Sequence, residues 1–386
     1  MASTEPEQHD RDFMQRALQL ASETVALATP NPQVGCVIVR DGKILGEGAH
    51  LYDNYDHAEI VALKQAASRG HSVAGATAYV TLEPCSHHGR TGPCADALIS
   101  AGISRVVVAT TDPNPMVSGA GIGKLRTAGV EVLVGVLQQQ ARTLNDAFAH
   151  FIRTRTPFVT LKAALSADAK LAPSTTSRVP GQTYWLTGAE ARNDVHRLRH
   201  ASDAILTGIG TVLADNPQLT DRSGHPRRRP LLRIVLDTYL RIPLSSHLVS
   251  SAKRDLLVFS GSTAPDTKRN QLLNAGVEIE TITEHDGRLS LPTILARLGE
   301  RGILSLLLEG GCSINGAFLA RDLVDKVILF YSRQTLGAEA IPFAEGFSSP
   351  SEIESSLFNV SRDVLGEDTR VTGYLRDPWP TPSSAD

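Results

Sequence analysis

Tyr79-Val-Thr-Leu-Glu-Pro-Cys85-Ser-His-His-Gly-Arg-Thr-Gly-Pro-Cys94, read together with His57-Ala-Glu59 upstream of it, decides how the first half of this chain folds. The two segments supply one imidazole and two thiolates. A zinc ion held by such a set keeps its fourth tetrahedral position for a water, whose pKa it lowers towards neutrality. Glu59 lies two residues from His57 and stays outside that ligand set, free to carry protons. Each residue alone has a plainer reading: His57 as a helix cap, Glu59 as a first-turn acid favoured by the helix dipole, the cysteines as small buried hydrophobes. The set as a whole points to a metal. Both ligand-bearing segments open helices just after strands or loops, so their side chains are expected to meet at one end of a sheet.

Working outward, apolar spacing predicts a helix over Asp12–Thr29, stopped by Pro30-Asn31-Pro32. Strand Val34–Val39, turn Asp41-Gly42 and strand Lys43–Ala49 follow as a hairpin. Helix His57–Ser68, strand Ala76–Leu82, helix Ala95–Ala101, strand Arg105–Thr110, helix Gly121–Ala128 and strand Val130–Gly135 come next, closed by one helix carrying Leu144 and Phe148. The alternation implies a three-layer α/β domain over residues 12–152, after a flexible extension at 1–11. Around Arg153 the pattern restarts, and strands interleaved with helices run from Phe158 to Tyr331. They predict a second α/β domain over 153–376 and a flexible tail at 377–386.

At 386 residues the chain exceeds what one core usually serves, in keeping with two domains. A net charge of -3 gives no long-range pull towards nucleic acid, and no apolar run approaches a membrane span. A small metabolite is the expected partner. The first thirteen residues lack the apolar core of an export signal, and four cysteines in so large a chain read as free thiols. The expected compartment is the cytoplasm.

In the zinc nucleobase deaminases the ligand pattern is His-x-Glu followed by Pro-Cys-x-x-Cys. Here eight residues, Ser86 to Pro93, separate the cysteines. That longer gap, with Thr29-Pro-Asn-Pro-Gln-Val-Gly-Cys-Val-Ile-Val39, Gly46-Glu-Gly-Ala-His50 and Asp112-Pro-Asn-Pro115, resembles the bifunctional riboflavin-biosynthesis deaminase/reductase family. The resemblance runs from about Asp12 to Tyr374. It implies a cytidine-deaminase-like α/β/α domain followed by a dihydrofolate-reductase-like α/β domain. The implied reaction is zinc-dependent hydrolytic deamination of 2,5-diamino-6-(5-phosphoribosylamino)pyrimidin-4(3H)-one, then NADPH-dependent reduction of the ribosyl group to ribityl. On this resemblance His57, Cys85 and Cys94 bind zinc, Glu59 is catalytic, and Asn31, His50, His88 and Asn114 line the deaminase substrate pocket.

In the second half Lys162, Ser166-Ala-Asp-Ala-Lys170, Trp185, Arg199, Thr211-Val-Leu-Ala-Asp-Asn-Pro-Gln-Leu-Thr220, Arg222 and Asp237 carry the resemblance. It places Lys162, Thr183, Arg199, Leu219, Arg222 and Glu309 on the substrate. Along the cofactor it places Ala164, Trp185, Thr211, Asp215, Thr238, Gly311, Cys312, Ser313, Ile314, Asn315, Gly316 and Ala317. Read without the family, Leu308-Glu-Gly-Gly-Cys312 is a strand–glycine–helix turn that could take a phosphate or be a plain tight turn, Arg199 a cation at a helix C-terminus, and Asp215-Asn-Pro217 a turn. Three departures stand out: Ala169 where the family has glycine, no proline in Ser332-Arg-Gln-Thr-Leu-Gly337, and Val179-Pro-Gly-Gln-Thr183 before Trp185. If position 169 needs a positive φ, its Cβ strains or reshapes the loop. A dimer or tetramer through the second domain is implied by resemblance alone. Two other readings stay open: a deaminase of another base, nucleoside or tRNA with a degenerate second domain, and a structural zinc module closed by Cys36 or His87 as fourth ligand.

Overall fold

Asp10 explains why the first helix, α1 (Gln8–Ser22), starts earlier than its apolar spacing suggests. Its carboxylate is 1% exposed and accepts two hydrogen bonds from Arg105, at 2.7 and 3.0 Å, and one from the Tyr79 hydroxyl at 2.9 Å. That buried, fully partnered acid draws residues 8–11 into the folded unit rather than leaving them as an extension. The computed structural model describes residues 7–87, 92–174, 176, 177 and 184–379, in two compact units that divide after Thr154.

The first unit continues with β1 (Gly35–Arg40), β2 (Lys43–Ala49), α2 (Ala58–Ser68), β3 (Thr77–Val80), α3 (Cys94–Ser100) and β4 (Arg105–Val108). It ends with α4 (Ala120–Thr127), β5 (Glu131–Val134), α5 (Gln138–Leu144) and α6 (Asp146–Thr154). The sheet order is β2-β1-β3-β4-β5, with β1 antiparallel to both neighbours and β3, β4 and β5 parallel. Met14, Ala17 and Leu18 of α1 pack with Val37, Tyr79 and Val107 on one face. On the other face α2 rests on two glycines: a Cβ at Gly46 would fall 2.2 Å from Ala62 O, and one at Gly48 2.6 Å from Val61 Cβ and 2.7 Å from Ala58 O. The single helix expected around Leu144 and Phe148 is two, broken at Asn145. The Asn145 amide accepts from Gln33 N–H (2.8 Å) and donates to Gln33 O (2.9 Å), which anchors the turn carrying Asn31.

The second unit opens with β6 (Phe158–Leu165), β7 (Lys170–Ala172), α7 (Ala189–His200), β8 (Ala204–Gly208), α8 (Ile209–Asp215), β9 (Leu232–Leu236), α9 (His247–Ser250) and β10 (Leu256–Ser260). Next come α10 (Asp266–Asn274), β11 (Glu278–Thr281), the short pair β12 (Glu284–His285) and β13 (Arg288–Leu289), α11 (Leu291–Glu300), β14 (Ser305–Leu308) and α12 (Cys312–Leu319). The unit closes with β15 (Lys326–Tyr331), β16 (Ile341–Pro342), α13 (Ser351–Glu354), β17 (Phe358–Leu365) and β18 (Asp368–Tyr374). Nine strands form one sheet in the order β11-β10-β9-β8-β14-β6-β15-β18-β17, parallel from β11 to β15 and antiparallel beyond. β14 is apolar on both faces, as a covered parallel strand must be: Leu306 and Leu308 enter one core and Leu307 the other.

Several features go beyond the sequence expectation or decide a point it left open. The β17–β18 hairpin and α8 are additional elements. Pro378 and Trp379 are buried, so the ordered chain runs past 376. Ala169 has φ 62, so this chain keeps the left-handed backbone and bears the strain of a Cβ there. Gly48→Ala is expected to lift α2 off the sheet, lowering stability by about 1–3 kcal/mol and reducing zinc content; urea unfolding and metal analysis of the purified variant check both.

Candidate functional site

His57 is the N-cap of α2, Glu59 lies in its first turn, and Cys94 opens α3. The ligand atoms of His57, Cys85 and Cys94 all lie within 4.8 Å of one another. His57 Nδ1 is 3.2 Å from Cys94 Sγ and 3.5 Å from Cys85 Sγ, and the Cys94 main-chain N–H donates to Cys85 Sγ at 3.3 Å. A tetrahedral zinc would set such atoms about 3.5–3.8 Å apart, so the donor set fits in chemistry and spacing. Among the described residues no fourth His, Cys, Asp or Glu joins the group. Neither Cys36 nor His87 closes it, which argues against the structural-module reading.

The electrostatics follow from burial. Glu59 is 3% exposed, and desolvation pushes its carboxyl up to about 7. Hydrogen bonds from Cys94 and His57 hold the Cys85 thiol down, and the bond to Cys85 holds Cys94 up. A cavity of ≈ 270 Å³ lined by Pro30, Asn31, His50, Tyr52, Tyr55 and His57 opens beside the cluster. Asn114 lies in the loop before α4, its main-chain N–H held by Asp112 Oδ1 at 2.8 Å. His88 and Thr183 lie outside the described residues.

Glu83 carries no signal of its own in the sequence, yet it ties this loop to the metal segment. Its buried carboxylate accepts from the main-chain N–H groups of Asp112 (3.1 Å), Gly119 (2.9 Å), Gly121 (2.9 Å) and Ile122 (3.2 Å). Gly121 is pressed against the same segment, since a Cβ there would lie 1.9 Å from Pro84 O. The available clue was an acid next to Pro84-Cys85 with a glycine-rich helix start downstream.

In the second unit the central strands bring a second group together. Lys162 on β6, Glu309 after β14 and Arg199 at the end of α7 converge, with Arg199 Nε and Nη2 donating to Glu309 at 2.7 and 3.0 Å and Lys162 Nζ 3.7 Å away. Burial alone would raise Glu309, but the charges of Arg199 and Lys162 hold it down to about 2. Arg199 Nη1 donates to Thr220 O at 3.2 Å, so its donors are largely committed to protein. Arg222 donates to Thr220 Oγ1 and Gln218 Oε1, and Leu219 is buried with φ 52.

The residues read as lying along the cofactor spread around the same strand ends. A Cβ at Gly311 would meet Thr211 Oγ1 at 3.4 Å, and one at Gly208 would meet Ile314 Cγ1 at 2.8 Å, so the starts of α8 and α12 adjoin. Ser260 Oγ at the end of β10 and Asn315 Oδ1 in α12 are buried with no hydrogen-bond partner among the described residues, and the buried Asp237 Oδ1 after β9 has Arg241 Nε at 3.5 Å. Orphaned polar atoms along carboxyl ends of parallel strands suit a dinucleotide. Thr238 follows Asp237, and its carbonyl accepts from Gly261 N–H at 2.9 Å. Asn315 and Gly316 instead face the 343–345 segment: Asn315 donates to Phe343 O, and a Cβ at Gly316 would strike Glu345 O at 2.2 Å. Trp185 is exposed, with Arg192 over its ring at 5.0 Å. Ala164 shares a face of β6 with Lys162, and Asp215 closes α8.

The model for the cytidine and deoxycytidylate deaminase zinc-binding region matches residues 7–110, and that for the RibD C-terminal domain matches 157–365. Riboflavin biosynthesis protein RibD of Actinobacillus pleuropneumoniae is 40% identical over 371 residues, 96% of each chain. The chain belongs to the RibD family. Acinetobacter baumannii RibD, form 1, superposes with TM-score 0.79 at 36% identity, covering 95% of this chain and 99% of its own. The Thermotoga maritima diaminohydroxyphosphoribosylaminopyrimidine deaminase/5-amino-6-(5-phosphoribosylamino)uracil reductase does so with TM-score 0.79 at 35% identity, covering 95% and 98%. As a RibD-family member the chain is a bifunctional enzyme of riboflavin biosynthesis, a zinc-dependent deaminase and an NADPH-dependent reductase. The reading as a monofunctional deaminase with a degenerate second domain gives way to this.

Glu309 also makes a pH signature. Its folded-state pKa of about 2 lies below the ordinary 4.5, so its contribution to stability is present above about 4.5 and lost as pH falls towards 2. Unfolding midpoints measured from pH 5 to pH 2 are expected to fall, and Glu309→Gln is expected to flatten that part of the profile.

Proposed function

We propose that the first unit hydrolyses the 2-amino group of 2,5-diamino-6-(5-phosphoribosylamino)pyrimidin-4(3H)-one and that the second reduces the ribosyl group of the product to ribityl. The observation that carries the deaminase reading is a buried carboxylate, Glu59, in the first turn of the helix whose N-cap is His57 and outside the His57, Cys85 and Cys94 group. His57, Cys85 and Cys94 would hold zinc, which supplies Lewis acidity and lowers the pKa of a water. Glu59 takes a proton from the attacking water and passes protons to the ring nitrogen and the departing amine, so the C–N bond breaks, the water oxygen stays on the ring carbon as a carbonyl and ammonia leaves. Asn31 hydrogen-bonds the pyrimidine, while His50 and Asn114 line the pocket or its phosphate end, with His88 a further lining residue carried over by family pattern.

In the reductase NADPH supplies the hydride for C1′ of the ring-opened sugar imine. Lys162, Arg199 and Glu309 form a prepaired charged floor that needs no reorganisation when the substrate arrives, and Leu219 and Thr183 are assigned to its contacts. The exposed Arg222 suits the substrate phosphate better than Arg199, whose donors already serve Glu309 and Thr220. Ala164, Trp185, Thr211, Asp215, Thr238 and the turn from Gly311 to Ile314 lie along the nicotinamide dinucleotide. Asn315, Gly316 and Ala317 continue α12, Asn315 and Gly316 bracing the turn from behind.

The four cysteines are unpaired, in line with a reducing, cytoplasmic setting, and among the described residues no helix is long and apolar enough to cross a membrane. We assign a homo-oligomer formed through β17, the edge strand of the second sheet, which exposes Phe358, Val360 and Val364, the last at 78%. Val364→Lys is expected to lower the sedimenting mass; an unchanged mass would count against this edge. Glu59→Gln is expected to retain zinc, cut ammonia release by at least about a hundredfold, and leave NADPH oxidation intact on supplied deaminated substrate. Parallel ammonia and NADPH assays check it, and loss of both signals would argue against separate sites.

A further inference from the structure

The wall of the cavity beside the metal cluster has a definite hydrogen-bonding polarity. His50 Nδ1 lies 2.8 Å from the main-chain oxygen of Asp56. A carbonyl only accepts, so Nδ1 carries the hydrogen. The ring is 3% exposed, and its other nitrogen faces an amide NH₂ group, which can only donate, so that nitrogen accepts. That nitrogen, Nε2, is 2.9 Å from Asn31 Nδ2. The Asn31 amide must therefore turn its NH₂ to His50, and its oxygen Oδ1, which has no hydrogen-bond partner among the described residues, is left for the cavity that Asn31 lines. The main chain gives this amide little freedom: Asn31 N–H donates to Ala28 O at 2.9 Å, and Asn145 clamps both the main-chain N–H and the main-chain carbonyl of Gln33.

We infer that His50 is a positioning residue which, by fixing the Asn31 amide, makes the deaminase pocket present an acceptor and so select a pyrimidine edge with a lactam N–H over one with a bare or alkylated ring nitrogen. This rests on the reading of the cavity as the deaminase substrate site. The relay runs from a backbone carbonyl through an imidazole to an amide, each member able to donate or accept in one sense only once Asp56 has set the first. A substrate ring lacking the N–H would leave Oδ1 facing a lone pair or a methyl group, with no compensating bond. Discrimination thus comes from an unpaired acceptor, a sharper filter than shape alone.

The test uses the zinc-loaded full chain and a pair of probes, a 4(3H)-pyrimidinone nucleotide and its N3-methyl analogue, as competitive inhibitors of ammonia release. In the unmodified enzyme the methylated probe is expected to bind at least about tenfold more weakly. His50→Leu is expected to narrow that ratio to about threefold or less and to raise KM more than it lowers kcat, with zinc content and unfolding midpoint retained. His50→Gln offers one donor and one acceptor and is expected to restore the ratio. Equal binding of both probes by the unmodified enzyme, or an unchanged ratio in His50→Leu, overturns the inference. Should His50→Leu lose zinc or unfold, the unmodified enzyme and His50→Gln decide the matter by the same ratio. A different failure, Asn31→Ala leaving KM and both inhibition constants untouched, would show that the cavity is not the substrate site and overturn the reading beneath.

Discussion

Removing a carboxylate from water is costly unless something replaces the lost solvation, and both centres of this enzyme are organised around one that has been removed. At Glu59 burial dominates and the group sits high, beside the His57, Cys85 and Cys94 cluster. At Glu309 a bidentate arginine and a lysine dominate, and the group stays charged. The same residue type therefore titrates near neutrality in one unit and stays a fixed charge in the other. What separates the roles is the neighbouring charge, not the glutamate.

Neither carboxylate could be held without tight scaffolding. Gly46 and Gly48 let α2 approach the sheet closely enough that His57 and Glu59 reach Cys85 and Cys94. Glu83 and Gly121 tie the Cys85 segment to the loop carrying Asn114. In the second unit β14, between β8 and β6, places Glu309 next to Lys162, and Thr207 on β8 fixes the Glu309 carbonyl at 2.8 Å. Ala169 retains its left-handed conformation because Asp168 grips the main-chain N–H groups of Leu336 and Gly337, at 2.9 and 2.7 Å, across the adjoining loop.

The elements legible in the sequence were those whose side chains meet one environment along their length. α7 and the strands Ala204–Gly208 and Lys326–Tyr331 match their expected bounds, since each has an unbroken apolar or amphipathic pattern. β17 was not legible: it is exposed on most of its length, so it carries no buried stripe, and its strand geometry comes from its pairing with β18. α8 is too short for helical periodicity to register. The helix expected around Leu144 and Phe148 breaks because Asn145 is recruited by Gln33, far away in sequence.

The sequence by itself determined the chemistry: which residues can bind a soft metal, which acid is left over, and which cations are available to a phosphorylated sugar. Spacing could do this because ligand type and helix-start position are local properties. Tertiary structure decided the charge state of each buried acid, the orientation of the Asn31 amide and the commitment of Arg199 to Glu309. Those depend on desolvation and on hydrogen-bond partners supplied from distant segments, and neither quantity exists until the chain has closed around them.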